Sequence, residues 1–146
     1  MRDTKNIKIG KKVIQIEAKA VSAISDRLDE HFDGAVLSIL DCKGRLIILG
    51  VGKSGLISQK IASTMASTGT PAHFVHPGDA FHGDLGMITK DDVVLMISNS
   101  GETHELIQII PSIRKKNVPI IGMIGKERST LHDGVDFILD TSVERE

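Results

Sequence analysis

The sequence "LIILGVGKSG", residues 46–55, joins a run of four apolar residues to a glycine-rich segment that leads into a helix-like stretch. A short, continuous apolar run is typical of a central strand in a parallel sheet, because such a strand is buried on both faces. A glycine-rich turn at the start of the following helix is where α/β proteins hold phosphate groups. The stretch therefore predicts an α/β fold with an anion site near residues 50–55.

Similar apolar runs recur on the C-terminal side of this stretch and alternate with helix-like spacing. We predict strands at 46–49, 72–75, 93–97, 119–124 and 137–139, and helices at 9–28, 35–40, 54–67, 103–116 and 129–133. Residues 76–92 are predicted to form a long loop. This alternation indicates a parallel sheet with helices on both faces. We predict no helix after the last strand.

Composition limits the classes of partner. The 146 residues carry 18 basic and 19 acidic side chains, a formal net charge of -1, and neither Trp nor Tyr, so a nucleic-acid surface is not expected. Cys42 is the single cysteine and cannot form an internal disulfide. The N-terminal sequence lacks the apolar core of a signal peptide, and no apolar run approaches ~18 residues. We therefore expect one domain over residues 1–146, a cytoplasmic location and no membrane partner.

Three kinds of phosphate site are compatible at first sight with residues 50–55. An ATP-binding P-loop needs its first glycine at position 47, which is Ile47. The spacing of Gly50, Gly52 and Gly55 fits a dinucleotide site, but the acidic residue expected after the second strand is missing. The third possibility is a single phosphate held by backbone N–H groups, with help from Lys53 and Ser54. A plain turn with a solvated lysine also explains the segment.

A second loop, "SNSGET" at residues 98–103, favours the single phosphate. Its three hydroxyl side chains stand at the start of a predicted helix, whose free N–H groups and partial positive charge attract anions. A capping box of Asn99 with Glu102 would explain only part of this composition. Because both loops follow predicted strands of a parallel sheet, we expect them to face one crevice at its carboxyl edge.

The sequence "SNSGET" resembles the S-x-S-G-x-T signature of the sugar isomerase (SIS) domain family. Together with residues 50–55, 67–88 and 142–146, it is similar to the arabinose 5-phosphate isomerases of that family. The resemblance implies a three-layer α/β/α sandwich with a five-stranded parallel, flavodoxin-like sheet. It also implies interconversion of D-ribulose 5-phosphate and D-arabinose 5-phosphate through an enediol, with no required cofactor. Further implications are a homodimer or homotetramer and supply of Kdo for lipopolysaccharide or capsule.

The resemblance also assigns site residues. It implies that four hydroxyl side chains bind the phosphate, those of Ser54, Ser98, Ser100 and Thr103. Lys53 matches an active-site lysine that stabilises the enediolate or the phosphate. Glu105 and Glu146 match two catalytic glutamates, and either could be the base. His82 matches a histidine that lines the site, where it hydrogen-bonds the sugar or binds an inhibitory transition metal.

The family pattern continues beyond residue 146 with a helix and a further histidine, often followed by CBS domains. We therefore expect a SIS domain that is shortened at its C-terminus, lacks its last helix and carries an incomplete catalytic set. Two alternatives remain open: a non-catalytic phosphosugar-binding regulator, and a SIS isomerase of another sugar phosphate. The presence of Lys53, Glu105 and His82 favours an enzyme, since a regulator needs only the phosphate loops.

Overall fold

The computed structural model describes residues 3–81 and 84–144. The chain divides into two compact units, one of residues 1–28 with 143–146 and one of residues 29–142. The first unit contains helix α1 (Asp3–Ile24) and a 3₁₀ turn (Ser25–Arg27). Helix α1 begins earlier than residue 9, the predicted start, because no glycine or proline interrupts residues 3–8. No helix in the described part of the chain is long and apolar enough to cross a membrane.

The second unit is a parallel five-stranded sheet covered by helices, as the alternation of strands and helices predicts. Each predicted strand is found, with bounds that differ by at most one residue. The elements in chain order are α2 (Glu30–Leu40), β1 (Leu46–Gly50), α3 (Lys53–Ser67), β2 (Ala72–Val75), α4 (Pro77–Phe81), β3 (Val93–Ser98), α5 (His104–Arg114), β4 (Ile120–Ile124), α6 (Thr130–Asp133) and β5 (Phe137–Asp140). The strand order is β2-β1-β3-β4-β5, and every neighbouring pair is parallel.

The core lies in two layers, one on each face of the sheet. Successive side chains of a strand point to opposite faces, so Ile47 and Leu49 enter one layer while Leu46 and Ile48 enter the other. The first layer is completed by apolar residues of α4, α5 and α6, and the second by residues of α2 and α3. Helices on both faces of one sheet make the three-layer sandwich that the family resemblance implies.

Residues 76–92 are not the continuous loop that the sequence predicted. They contain α4 and a 3₁₀ turn at Asp84–Met87. Pro77 occupies the first helical position, where its missing N–H costs nothing. The His76 carbonyl accepts hydrogen bonds from the N–H groups of Asp79 and Ala80. Ala80 is buried in the core, so tertiary packing holds a helix too short to be recognised from its own sequence.

Helix α2 also begins earlier than predicted, at Glu30 instead of residue 35. Its start is fixed by Asp29, whose carboxylate accepts a hydrogen bond of 2.9 Å from the N–H of His31. Asp is a favoured N-cap residue for this reason. The capping signal was thus present in the sequence, but it stood outside the apolar pattern used to place the helix.

A buried carboxylate ties together the segments at the amino edge of the sheet. Asp92 Oδ1 accepts from the Arg45 N–H at 2.7 Å, and Oδ2 accepts from the Thr89 N–H at 2.7 Å. We expect Asp92→Asn to lower the free energy of unfolding by roughly 1.5–3 kcal/mol, because an amide NH₂ group would face a backbone donor. Urea unfolding measures this loss, with Asp91→Asn on the exposed neighbour as the control. Equal losses from both variants would contradict the role of Asp92.

Candidate functional site

Two loops leave the sheet side by side at its carboxyl edge. Strands β1 and β3 are neighbours, with Gly50 opposite Ile97. The chain runs from β1 to β2 on one side and then returns to β3 on the other, so the strand order reverses between β1 and β3. In open α/β sheets, ligands bind at this reversal, beyond the carboxyl ends of the strands. Residues 50–55 and 98–103 are the loops that follow these two strands.

The first loop, residues 50–55, requires its glycines mainly for backbone geometry and close packing. Gly52 is the N-cap of α3 with φ of 59°, a left-handed conformation that favours glycine. A Cβ on Gly50 would lie 2.6 Å from Ser58 Oγ, and one on Gly55 would lie 2.9 Å from the Gly50 carbonyl oxygen. Helix α3 therefore packs directly against the end of β1. This packing accounts for the dinucleotide-like spacing of the glycines without a nucleotide.

Lys53 and Ser54 are the side chains of this loop that a ligand could use. They form the first turn of α3, and Lys53 is exposed while Ser54 is half-buried. Helix α3 runs for 15 residues, and its first N–H groups have no acceptor within the helix. A positive side chain and a hydroxyl thus accompany the positive end of a helix, an arrangement suited to an anion.

The second loop is folded around its own hydroxyl groups. Ser98 is buried, and its Oγ accepts a hydrogen bond of 2.9 Å from the Gly101 N–H. The same Oγ lies 2.8 Å from Thr103 Oγ1, so these two hydroxyls share a hydrogen bond. Ser100 Oγ accepts from the Glu102 N–H at 3.1 Å. Three of the four hydroxyls predicted to bind phosphate, those of Ser98, Ser100 and Thr103, are therefore gathered in one turn.

Thr103 is the N-cap of α5 and makes no capping hydrogen bond through its side chain. The alternative explanation of a capping box of Asn99 with Glu102 is not met, because the helix begins at His104 and both residues precede its N-cap. The Thr103 carbonyl instead accepts from the N–H groups of Leu106 and Ile107. Glu105 is exposed in the first turn of α5, two residues beyond the cap. It therefore stands close in sequence to the predicted phosphate ligands.

Glu102 has a structural partner that the sequence analysis missed. Its Oε1 accepts from the Thr130 N–H at 2.8 Å, and its Oε2 accepts from the Thr130 hydroxyl at 2.7 Å. These two hydrogen bonds, the backbone one first, hold the pKa of Glu102 below its ordinary value, against an opposing effect of desolvation, and the charge of Lys126 adds a smaller lowering. No local pattern connects residues 102 and 130, so only the fold could reveal the pair.

The segment between β4 and α6 lies directly against the second loop. The Gly101 carbonyl accepts from the Leu131 N–H at 3.0 Å, and the Ser98 carbonyl accepts from the Gly125 N–H at 3.3 Å. A Cβ on Gly101 would overlap Ser129 Oγ, and one on Gly125 would overlap Asn99 Oδ1. Residues 125–131 thus form a close-fitting support for the second loop.

The predicted site residues fall into two groups. Those in the described chain all lie at the carboxyl edge of β1 and β3, namely Lys53, Ser54, Ser98, Ser100, Thr103 and Glu105. The other two, His82 and Glu146, lie outside the described residues. Across residues 3–81 and 84–144, no three His, Cys, Asp or Glu side chains are grouped so that they could hold a metal ion.

The lowered pKa of Glu102 predicts how this carboxyl group titrates. We expect its pKa to lie below the ordinary value of 4.5. The resulting contribution to stability is fully present above the unfolded-state pKa and is lost as pH falls through the lower, folded-state pKa. The ¹³C chemical shift of the Glu102 side-chain carboxyl, followed against pH, measures this pKa. Thr130→Val removes the hydroxyl donor and keeps the backbone N–H, so it should move the midpoint upward by part of the shift, and an unchanged midpoint would contradict the contribution of the hydroxyl.

Comparison with known proteins shows the family to which the chain is similar. The family description "SIS domain" matches residues 39–146. Arabinose 5-phosphate isomerase KdsD of Yersinia pestis is 46% identical over 137 residues, which cover 94% of this chain. The chain spans only about two fifths of the length of such curated relatives, 42% in the case of KdsD.

Solved structures share the fold closely. An Escherichia coli CFT073 protein in complex with arabinose 5-phosphate superposes with a TM-score of 0.90 and 41% identity, and the match covers 100% of this chain and 78% of that protein. A candidate phosphosugar isomerase involved in capsule formation in Bacteroides fragilis gives a TM-score of 0.86 at 36% identity, over 92% of this chain and 72% of its own. At these identities the likeness extends beyond the bare fold.

Proposed function

Because this chain belongs to the SIS domain family, we propose that it binds a sugar phosphate and interconverts D-arabinose 5-phosphate and D-ribulose 5-phosphate through an enediol. The observation that carries the proposal is the turn at residues 98–103, where three hydroxyls gather at the start of α5. The name of the KdsD relative and the arabinose 5-phosphate bound to the Escherichia coli protein support this substrate.

The phosphate is held between the two loops. Ser100 and Thr103 present hydroxyls, and the free N–H groups at the start of α5 add donors with a partial positive charge. Ser98 is buried, and its hydroxyl contributes by hydrogen-bonding the Gly101 N–H and the Thr103 hydroxyl, which holds the loop in place. Ser54 supplies a further hydroxyl from α3. Together these groups anchor the end of the sugar that does not react.

The reaction moves one proton between C1 and C2 and changes no oxidation state overall. A base removes the proton from one carbon, the carbonyl oxygen becomes negative, and the proton is returned to the other carbon. Glu105 is the base in this proposal, and Glu146 is the second glutamate available to it. Lys53 stabilises the developing oxyanion, a contribution that is commonly large in such reactions. His82 hydrogen-bonds the sugar and offers a binding position for an inhibitory transition metal.

This chemistry requires no cofactor, because acid–base groups and a fixed positive charge suffice for it. The proposed location is the cytoplasm, where sugar phosphates are metabolised. The proposed pathway role is supply of Kdo for lipopolysaccharide or capsule. The part in capsule formation of the Bacteroides fragilis protein supports the capsule branch. Neither nucleic acid nor membrane is a proposed partner, in keeping with the net charge of -1.

The proposed assembly is a homodimer or homotetramer. Large apolar side chains are exposed on three helices: Val21 of α1 at 68%, Leu40 of α2 at 72% and Leu56 of α3 at 65%. Apolar surface of this kind favours association with another protein surface. Light scattering at several protein concentrations measures the assembly, and a monomer at every concentration would contradict it.

The decisive experiment mixes the protein with D-arabinose 5-phosphate in D₂O and follows the sugar by proton NMR. Formation of ribulose 5-phosphate with deuterium at the exchanging carbon supports an enediol isomerase. Line broadening of the sugar without turnover would indicate binding alone. The matched controls are unphosphorylated arabinose and glucose 6-phosphate, which test the need for phosphate and for a five-carbon sugar. Turnover of glucose 6-phosphate in preference to arabinose 5-phosphate would overturn the substrate.

A further inference from the structure

We propose that Glu102 and Thr130 form a clamp that holds the phosphate loop, residues 98–103, in its binding conformation. The inference rests on the proposed sugar-phosphate function and adds two positioning residues to it. Neither residue touches the reacting carbons in this proposal. Their role is to fix the hydroxyl and N–H donors of the loop before the ligand arrives.

Thr130 holds the Glu102 carboxylate at two points. Both oxygens of Glu102 are used, one by the Thr130 N–H at 2.8 Å and the other by the Thr130 hydroxyl at 2.7 Å. A two-point contact fixes orientation as well as distance, which a single hydrogen bond does not. Thr130 is the first residue of α6, so the clamp joins the phosphate loop to a different helix.

Glu102 places a negative charge in the phosphate loop. A carboxylate one residue before the N-cap of α5 would repel a bound phosphate and weaken its binding. That repulsion would make Glu102 a liability if it were only a solvated surface residue. Its two hydrogen bonds direct the carboxylate toward α6. By holding the loop in shape they favour phosphate binding, whereas the charge repulsion opposes it. The clamp and a simple charge effect therefore predict opposite outcomes when Glu102 is removed.

The phosphate loop has a backbone conformation that needs support. Gly101 adopts φ of 65°, a left-handed conformation that favours glycine. The clamp acts on the exit from this turn, and the hydrogen bond from the Leu131 N–H to the Gly101 carbonyl acts on the turn itself. A loop already held in its bound shape loses less conformational entropy on binding, and so binds more tightly.

The experiment measures the affinity of the full chain for inorganic phosphate and for arabinose 5-phosphate by calorimetry, in four variants. Glu102→Ala removes the clamp and is expected to weaken both affinities roughly five- to tenfold. Glu102→Gln keeps two hydrogen bonds, with the amide donating to the Thr130 hydroxyl, and should remain within about twofold of the unaltered protein. Thr130→Val should lie between them, and Thr130→Ser should restore binding. KM should rise in Glu102→Ala while kcat changes much less.

Glu127→Ala is the matched control, because Glu127 is an exposed glutamate in the adjacent segment. It removes the same charge without the clamp and should leave phosphate affinity unchanged or slightly tighter. Equal or tighter binding by Glu102→Ala would overturn the clamp in favour of simple charge repulsion. Equal weakening by Glu102→Ala and Glu102→Gln would also overturn it, because the hydrogen bonds would then be irrelevant.

The controls separate this inference from the proposed function. Phosphate binding by the unaltered protein without isomerisation would defeat the proposed function, and the clamp would still be tested by the affinities. Absence of phosphate binding by the unaltered protein would overturn the clamp itself. If Glu102→Ala fails to fold, the pair Thr130→Val and Thr130→Ser decides the matter. Equal affinities in that pair would overturn the proposal.

Discussion

Replacing Glu105 with Gln is expected to lower kcat for the isomerisation by about 10²- to 10⁴-fold, the range that a positioned general base supplies. Gln keeps the size and polarity of the side chain but cannot accept the proton from the sugar carbon. Glu105 is exposed in the first turn of α5, so its loss should not disturb the core. Affinity for inorganic phosphate should stay close to that of the unaltered protein, because the phosphate donors remain in place.

Two measurements check this expectation: steady-state isomerisation, and exchange of the substrate carbon-bound proton with D₂O. Glu127→Gln, on an exposed glutamate outside the two loops, serves as the control and should retain full activity. Glu146→Gln is the informative companion, since Glu146 is the second candidate base. Full proton exchange in Glu105→Gln together with its loss in Glu146→Gln would assign the base to Glu146.

The fold could be predicted largely because its strands are continuous apolar runs. Residues 46–49 and 93–97 are buried on both faces, so their sequences carry the signal without help from distant residues. Helix α4 could not be predicted in the same way, because it spans only five residues and depends on Ala80 entering the core. Its sequence, "PGDAF", is locally typical of a turn.

Some features of the site could be predicted from local sequence, and others depend on contacts between distant residues. The two loops were identifiable because each places its glycines and hydroxyls directly after a strand, a pattern that is complete within six residues. The reversal between β1 and β3 then brings the loops together. The contact of Glu102 with Thr130 could not be foreseen, because it depends on how α6 packs beside α5. The alternative of a capping box between Asn99 and Glu102 is not formed, because both residues precede the N-cap of α5.

A graded series of glycine substitutions should expose how tightly the phosphate loop is supported. Gly101→Ala is expected to lower the free energy of unfolding by about 2–5 kcal/mol, the sum of backbone strain at φ of 65° and overlap with Ser129 Oγ. Gly52→Ala has strain at φ of 59° and ψ of -126° but open space around it, and should cost about 1–3 kcal/mol. Gly10→Ala, in an exposed helix without either problem, should stabilise by roughly 0.5–1 kcal/mol.

Urea unfolding ranks the three variants, and calorimetry with inorganic phosphate follows the loop itself. Because Gly101 can relieve its overlap only by moving away from Ser129, the same substitution should pull the turn from its support and abolish phosphate binding. Asp92→Asn, which also destabilises the protein but lies at the amino edge of the sheet, should leave that binding intact, which separates a local effect from general loss of structure. If Gly101→Ala were no more destabilising than Gly52→Ala, the contact with Ser129 would carry no energetic weight. The loop would then be shaped by its own hydroxyl hydrogen bonds, and its links to α6 would be the clamp at Glu102 and the hydrogen bond from the Leu131 N–H to the Gly101 carbonyl.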